Sequence, residues 1–382
     1  MNDIELVLLG NDLRSQDRYD EALRCYGEAF LQNSKNIHAW NNYGNVLREI
    51  GEPARARPFL EHAIVLDPTF VHAQFNLAIS SLLAGDYELG FRQYEWRWQY
   101  EHLAGTKPVS EKPEWIDQPL TGRTILVIGE QGFGDCIQFI RFTRDLAQMG
   151  AAVIVCCLPG LVPLFTQLPF VKQVITSLDA NVEYDYWISI MSLPLRLGIT
   201  RDNLRQDQLY LGTDSRMAEE WRQRFGPKQK MRVGLAWSGR PDSWANRYKQ
   251  LPLNHVADLV QQNPGIDWIS LQVEPTEESN SLMQQLSVLT FPGTIKHWGD
   301  TSALVYNLDL VITVDTSIAH LAGAMGRPTW IPLTKFAVDW RWGVDTDTSP
   351  WYPTVRLFRQ PNFGDWTTVV AEINRFLQYF KI

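Results

Sequence analysis

The stretch WNNYGNVLREIGEPARARPFLEHAIVLDP, residues 40–68, decides the first third of the fold. It reads as one helix pair of a stacked array. Its key positions recur 34 residues away on both sides: Gly10, Gly44 and Ala78; Ala22, Ala56 and Gly90; Tyr26, Leu60 and Tyr94; Leu9, Tyr43 and Leu77; Leu6, Trp40 and Gln74. Small residues at one position let two helices approach, and large ones at another fill the space between them. A single pair cannot bury its apolar face, so the units must stack.

The step of 34 residues, with Trp40, Gly44, Ala56, Leu60, Ala63 and Pro68 in order, resembles the tetratricopeptide (TPR) pattern. Three units fit within residues 1–100. The third is degenerate: Arg97 stands where a small alanine is expected, and Trp96, Trp98 and Tyr100 crowd its end. An aromatic end is not a solvated cap, so we expect it to pack on further structure. In the first helices of the pairs, Asn42 and Asn76 share one repeat position and Asn11 and Asn45 another. An asparagine amide both donates and accepts. Asn42 and Asn76 thus read either as a ladder for an extended polypeptide or as a solvated helix face.

Residues 101–123, with Pro108, Pro113 and Pro119, read as an irregular linker. Beyond them apolar runs alternate with amphipathic helices, the pattern of a parallel α/β sheet. Strands are expected at 124–130, 151–158, 171–177 and 184–190, with a helix over 135–149. A charged helix carrying Met217, Trp221 and Phe225 follows. Further strands are expected at 232–237, 266–272, 308–314 and 328–333, and helices from Asn254, near Thr301, near Ile318 and over 366–380. Two α/β lobes in tandem leave a cleft at strand carboxyl ends, where ligands bind such sheets.

Four segments carry candidate chemistry. In GEQGFGD (129–135), Gln131, Gly132 and Gly134 form a turn before a helix, and Asp135 is either a helix cap or a general base. In VDTSIAHLAGAMGRP (314–328), Thr316 and Ser317 put hydroxyls at a helix N-terminus suited to a diphosphate. Asp315 either holds sugar hydroxyls or caps that helix, and His320 either faces the cleft or is structural. In WSGRPDSWANRYKQLP (237–252), Ser238, Gly239, Arg240, Arg247 and Lys249 gather at a strand end. With Arg232 they concentrate positive charge that would meet a leaving diphosphate, against the alternative of a surface loop. Gln272, at the end of 266–272, joins this group. In DWRWGVDTDTSPWYP (339–353) the tryptophans serve either as core or as a carbohydrate stacking surface, and Asp345 and Asp347 lack further metal ligands.

The net charge of −8 among 382 residues argues against a nucleic-acid partner. Cys25, Cys136, Cys156 and Cys157 have no C-x-x-C spacing, so the last two read as small strand side chains. The N-terminal MNDIELVLLGND lacks the basic region of a signal peptide, and no apolar run is long enough to span a bilayer. The expectation is a cytoplasmic protein with no membrane insertion.

Together GEQGFGD with the following IQF-x-R, the RVGLAWSG loop, DLVITVDTSIAHLAGAMGRP and the flanking YEWRW and SPWYP resemble bacterial TPR-linked glycosyltransferases. That group is related to the lipopolysaccharide heptosyltransferases and distantly to the O-GlcNAc transferases. The resemblance implies an all-α TPR array followed by an α/β GT-B fold of two Rossmann-like lobes. The N-terminal lobe (124–212) would lie on the acceptor side and the C-terminal lobe (213–365) on the nucleotide-sugar side, before a final helix at 366–382. It implies inverting, metal-independent transfer from a nucleotide-diphosphate sugar to a protein or glycan, with no cofactor beyond that donor. Asp135 matches the family's base, and Asp315, Thr316 and His320 its sugar and phosphate motif, with Ser317 replacing a glycine. Lys249 matches its basic residue, in a context where Leu251 replaces tryptophan and Arg247 shares the role. The alternatives are a non-catalytic scaffold with degenerate transferase lobes and an acceptor-free epimerase of the same fold.

Overall fold

The computed structural model describes residues 1–178, 182–205, 209–240 and 245–380, with the side chain of His102 left aside. The described residues divide into two compact units. The first comprises 1–107, 197–204 and 335–346, and the second 108–196, 205–334 and 347–382.

The first unit holds three helix pairs: α1 (Asp3–Ser15) with α2 (Tyr19–Gln32), α3 (Ile37–Glu49) with α4 (Pro53–Leu66), and α5 (Val71–Leu83) with α6 (Tyr87–Tyr94). Local chemistry sets their starts. Asn2 and Glu5 form a capping box on α1, Asn36 caps α3, Pro53 opens α4, and Asp86 caps α6. The turn inside each pair needs a left-handed residue, and Asp17, Gly51 and Gly85 supply it at the repeat step, with φ of 62°, 86° and 82°. A Cβ on Gly10 would meet the Tyr26 ring at 2.5 Å, and one on Gly44 would meet Leu60 Cγ at 2.8 Å. The small-against-large pairing inferred from the period is therefore the packing itself.

The degenerate third unit closes on its own aromatics. Tyr100 stacks on Phe75 at 4.1 Å between ring centres. Arg97 is buried, bonds Glu95 at 2.7 Å, and lies 4.1 Å from the centre of the Trp98 ring. The ion pair and the aromatic face explain why a cation is tolerated where alanine was expected.

No periodicity announces the association of residues 335–346 with the repeats. Phe336 stacks on Tyr19 at 4.3 Å, Ala337 N donates to Glu49 O at 2.8 Å, and Trp340 packs against Tyr87 and Phe91. Each contact falls beside one of the three left-handed turns. We expect Trp340→Ala to destabilise the protein by about 3–5 kcal/mol, the usual cost of emptying a buried aromatic site. Denaturant titration measures this, and an unchanged midpoint would mean the segment is only loosely seated.

The second unit contains two parallel sheets. The first has β1 (Thr124–Ile128), β2 (Ala152–Cys156), β3 (Gln173–Ile175) and β4 (Tyr186–Ser189) in the order β3-β2-β1-β4. The second has β5 (Met231–Ala236), β6 (Ile266–Ser270), β7 (Leu310–Thr313), β8 (Thr329–Leu333) and β9 (Val355–Arg359) in the order β6-β5-β7-β8-β9. Both are parallel throughout, and their central strands are almost wholly buried and apolar. In each sheet the order reverses beside the first strand, which opens a crevice at its carboxyl end. The linker is partly anchored here: Trp115 is buried, and its N donates to Trp187 O at 2.8 Å.

Several expectations need correction. The helix expected over 135–149 is a helix Phe133–Phe139, a 3₁₀ turn Ile140–Phe142 and a second helix Thr143–Gln148. The helix Glu277–Gln285 was not anticipated, because EESNSLMQQ is nearly all polar and depends on its Thr276 cap. Strand β9 was not anticipated because VRLFR is short and interrupted by arginines. Among the described residues no helix is long and apolar enough to cross a membrane.

Candidate functional site

Register brings the motifs together. Ile128 at the end of β1 lies opposite Cys156 and Ser189, while Leu235 and Ala236 of β5 lie opposite Ser270 and Thr313. The residues that follow these positions are the glycine-rich loop, Trp237–Gly239, Leu271–Gln272 and Val314–Thr316.

The glycine-rich loop is shaped by close contacts. A Cβ on Gly129 would meet Cys136 Sγ at 3.0 Å and Cys156 O at 3.2 Å. Gln131 is exposed and adopts a left-handed φ of 62°, a conformation that is costly for a residue with a Cβ. The helix begins at Phe133, so Asp135 is its third residue and not its cap. Its Oδ2 accepts from Gly132 N at 2.9 Å, reaching back to hold the loop. Gly134 sits where a Cβ would meet His320 Cδ2 at 3.0 Å and Ser317 Oγ at 3.3 Å. The first sheet's loop thus lies directly against the helix Ser317–Ala324 of the second.

That helix is capped by Thr316, whose Oγ1 accepts from Ile318 N, and not by Asp315. Asp315 instead forms an ion pair with Lys249, both side chains being largely buried. The carboxylate needs a cation there, because burying it alone would be very costly. His320 is buried, and its Nδ1 lies 3.0 Å from Tyr352 OH.

On the β5 side, the buried Asn246 pins the loop: Gly239 N donates to its Oδ1 at 2.8 Å, and its Nδ2 donates to Ser238 Oγ at 3.2 Å. A Cβ on Gly239 would also lie 3.7 Å from Thr316 Cγ2, so this loop adjoins the helix cap. Arg247 stacks over the Tyr248 ring at 4.4 Å and donates to its hydroxyl. Arg240 is exposed, and residues 241–244 of this motif lie outside the described residues. Arg232 does not join the group. It sits near the amino end of β5, where its Nη2 donates to Gly226 O at 2.6 Å. Gln272 Oε1 is buried with no hydrogen-bond partner among the described residues.

The asparagines of the repeats belong to the first unit. Asn42 Nδ2 donates to Asn11 Oδ1 at 2.9 Å, and the buried Asn76 donates to Asn41 Oδ1 at 3.0 Å. These amides hold neighbouring first helices together. In the acidic tryptophan segment, Asp347 pairs with Arg356 at 3.1 Å, and among the described residues no group of three or more His, Cys, Asp or Glu could hold a metal ion. Cys136 and Cys157 are buried; burial pushes both thiols up, that of Cys157 to about 12. Sequence reasoning gave no role to Asn246, Arg141, Tyr210 or Tyr352, although Arg141 and Tyr352 stand in the IQF-x-R and SPWYP segments that carry the resemblance.

No family model matches the chain. Protein FlbA of Caulobacter vibrioides is 25% identical over 432 aligned residues, which cover 96% of this chain and 71% of that protein. The crystal structure of the glycosyl transferase family 9 protein from Veillonella parvula superposes with a TM-score of 0.51 at 12% identity, covering 70% of this chain and 92% of that one. The two sheets form a GT-B fold. The E. coli ADP-heptose lipopolysaccharide heptosyltransferase II covers 67% of this chain and 99% of its own, at 17% identity and a TM-score of 0.49. The chain therefore joins a TPR helix-pair array to a GT-B fold, with the crevice between the two sheets as its candidate site.

Proposed function

We propose that the chain transfers a sugar from a nucleotide-diphosphate donor to a hydroxyl of a protein or glycan acceptor. The observation that carries this reading is the contact of the glycine-rich loop with the Ser317–Ala324 helix, which sets Asp135's loop against a diphosphate-type helix N-terminus. In the proposed reaction the Asp135 carboxylate takes the acceptor's hydroxyl proton. The oxygen forms a bond to the anomeric carbon from the side opposite the diphosphate, which inverts that centre. The bond from that carbon to the phosphate oxygen breaks, and the diphosphate departs with its electron pair. Lys249, Arg247 and the N–H groups behind Thr316 and Ser317 stabilise the added charge. Ser238, Gly239, Arg240 and Gln272 border the nucleotide, and Asp315 and His320 its sugar and phosphates. The repeat array offers the surface for a peptide acceptor.

A thermal-shift screen against ADP, GDP, UDP and CDP sugars tests the reading. One nucleotide series should raise the unfolding midpoint, since a ligand at about 100 times its Kd stabilises by about 2.7 kcal/mol. EDTA should leave that shift intact, because protein groups meet the diphosphate charge. No shift with any of them would favour a scaffold in place of an enzyme, and loss of the shift in EDTA would overturn the metal-independent part.

A further inference from the structure

Arg141 follows the glycine-rich loop in the first sheet's lobe and is wrapped by aromatic rings from later in the chain. Its guanidinium carbon lies 4.5 Å from the ring centre of Tyr210, 4.8 Å from that of Tyr352 and 5.5 Å from that of Trp351. Its Nε donates to Gln138 O at 2.9 Å, its Nη1 to Trp351 O at 3.1 Å and its Nη2 to Tyr210 OH at 2.9 Å. A further side-chain hydrogen bond joins it to Tyr352. All of these acceptors are uncharged oxygens. A half-buried cation that bonds dipoles polarises those dipoles strongly.

Tyr352 is the link to the candidate site. Its ring packs so closely on the Ser317–Ala324 helix that a Cβ on Gly323 would meet its Cγ at 2.6 Å. Its hydroxyl lies 3.0 Å from His320 Nδ1. The Tyr352 oxygen accepts from Arg141, so its one proton is available for His320. The neighbouring cation makes that O–H a better donor. Each ring nitrogen of a neutral histidine has one role, and the bond made by one fixes the other.

We infer that Arg141 and Tyr352 are positioning residues that hold His320 Nδ1 as an acceptor, so that Nε2 carries the ring proton. The Cδ2 edge, beside Nε2, faces Gly134, which also adjoins Ser317 Oγ. His320 thereby presents an N–H donor next to the helix N-terminus, suited to a phosphate or sugar oxygen. This last consequence rests on the proposed donor site, whereas the ring's tautomer does not.

The test uses the full-length protein without ligand, labelled with ¹⁵N-histidine. The His320 resonances are identified by their loss in H320Q. The expected spectrum has an unprotonated, pyridine-type Nδ1 and a protonated, pyrrole-type Nε2. Tyr352→Phe keeps the ring on Gly323 but removes the hydroxyl, and should shift Nδ1 toward the pyrrole type. A wild-type His320 with its proton on Nδ1 would overturn the inference even if Y352F does not fold. So would a folded Y352F protein with the wild-type His320 spectrum. Because no donor is added, failure here is separate from failure of the transferase reading, which the nucleotide screen decides.

Discussion

If the proposed reaction holds, replacing Asp135 with asparagine should lower the transfer rate by about 10²–10⁴-fold, the range expected when a positioned general base is removed. Nucleotide-sugar binding should stay as in the wild type. The separation follows from the geometry. Asp135 Oδ2 accepts from Gly132 N, and an asparagine oxygen can accept from the same N–H. The loop, with its left-handed Gln131 and its contact from Gly134 to the helix Ser317–Ala324, therefore keeps its shape. Only the capacity to take a proton is lost. Single-turnover transfer, measured beside the thermal shift given by the donor, separates the two effects. Full transfer by the Asp135→Asn protein would remove Asp135 from the chemistry and leave it as a loop-holding residue.

Replacing Lys249 with methionine should have the second large effect, on stability and, in the proposed reaction, on donor binding. The Lys249 and Asp315 side chains are only 21% and 7% exposed. Removing the cation leaves a buried carboxylate without it, which costs about 3–5 kcal/mol. Denaturant titration should show that loss. The double replacement Lys249→Met with Asp315→Asn should regain most of the stability, because the uncompensated charge is gone. Donor binding should not return, since the cation proposed to meet the diphosphate is still missing. If the double variant also regained donor binding, the ion pair would be structural only.

Much of this was legible in the residues. The period of Gly10, Gly44 and Ala78 against Tyr26 and Leu60 forecast the helix pairs, because the packing obeys the same spacing. The apolar runs that became β1, β2, β5 and β7 were equally plain, because a strand buried on both faces has no polar positions. The polar helix Glu277–Gln285 and the charged strand β9 were not, because neither carries such a pattern.

The site divides along the same line. Gln131 to Asp135, Thr316, Ser317 and Lys249 could be named as candidates from sequence, because each lies in a short segment whose composition suits a strand-end loop. Their roles could not. Asp315 was read as a cap or a sugar ligand; Thr316 caps the helix, and Asp315 pairs with Lys249, 66 residues away, which removes only the cap reading. Arg232 was grouped with Arg247 and Lys249 by proximity in the chain, but six residues of strand carry it to the other end of the sheet. The seating of 335–346 on the repeat turns, and the line from Arg141 through Tyr352 to His320, were hidden in the same way. Sequence by itself determined what repeats along the chain: helix period, buried strands, caps and turns, which depend on neighbours a few residues apart. Tertiary structure alone decided which charges pair and which side chains meet across the crevice. Those choices turn on desolvation and contact between residues tens to hundreds of positions apart, and no local pattern records them.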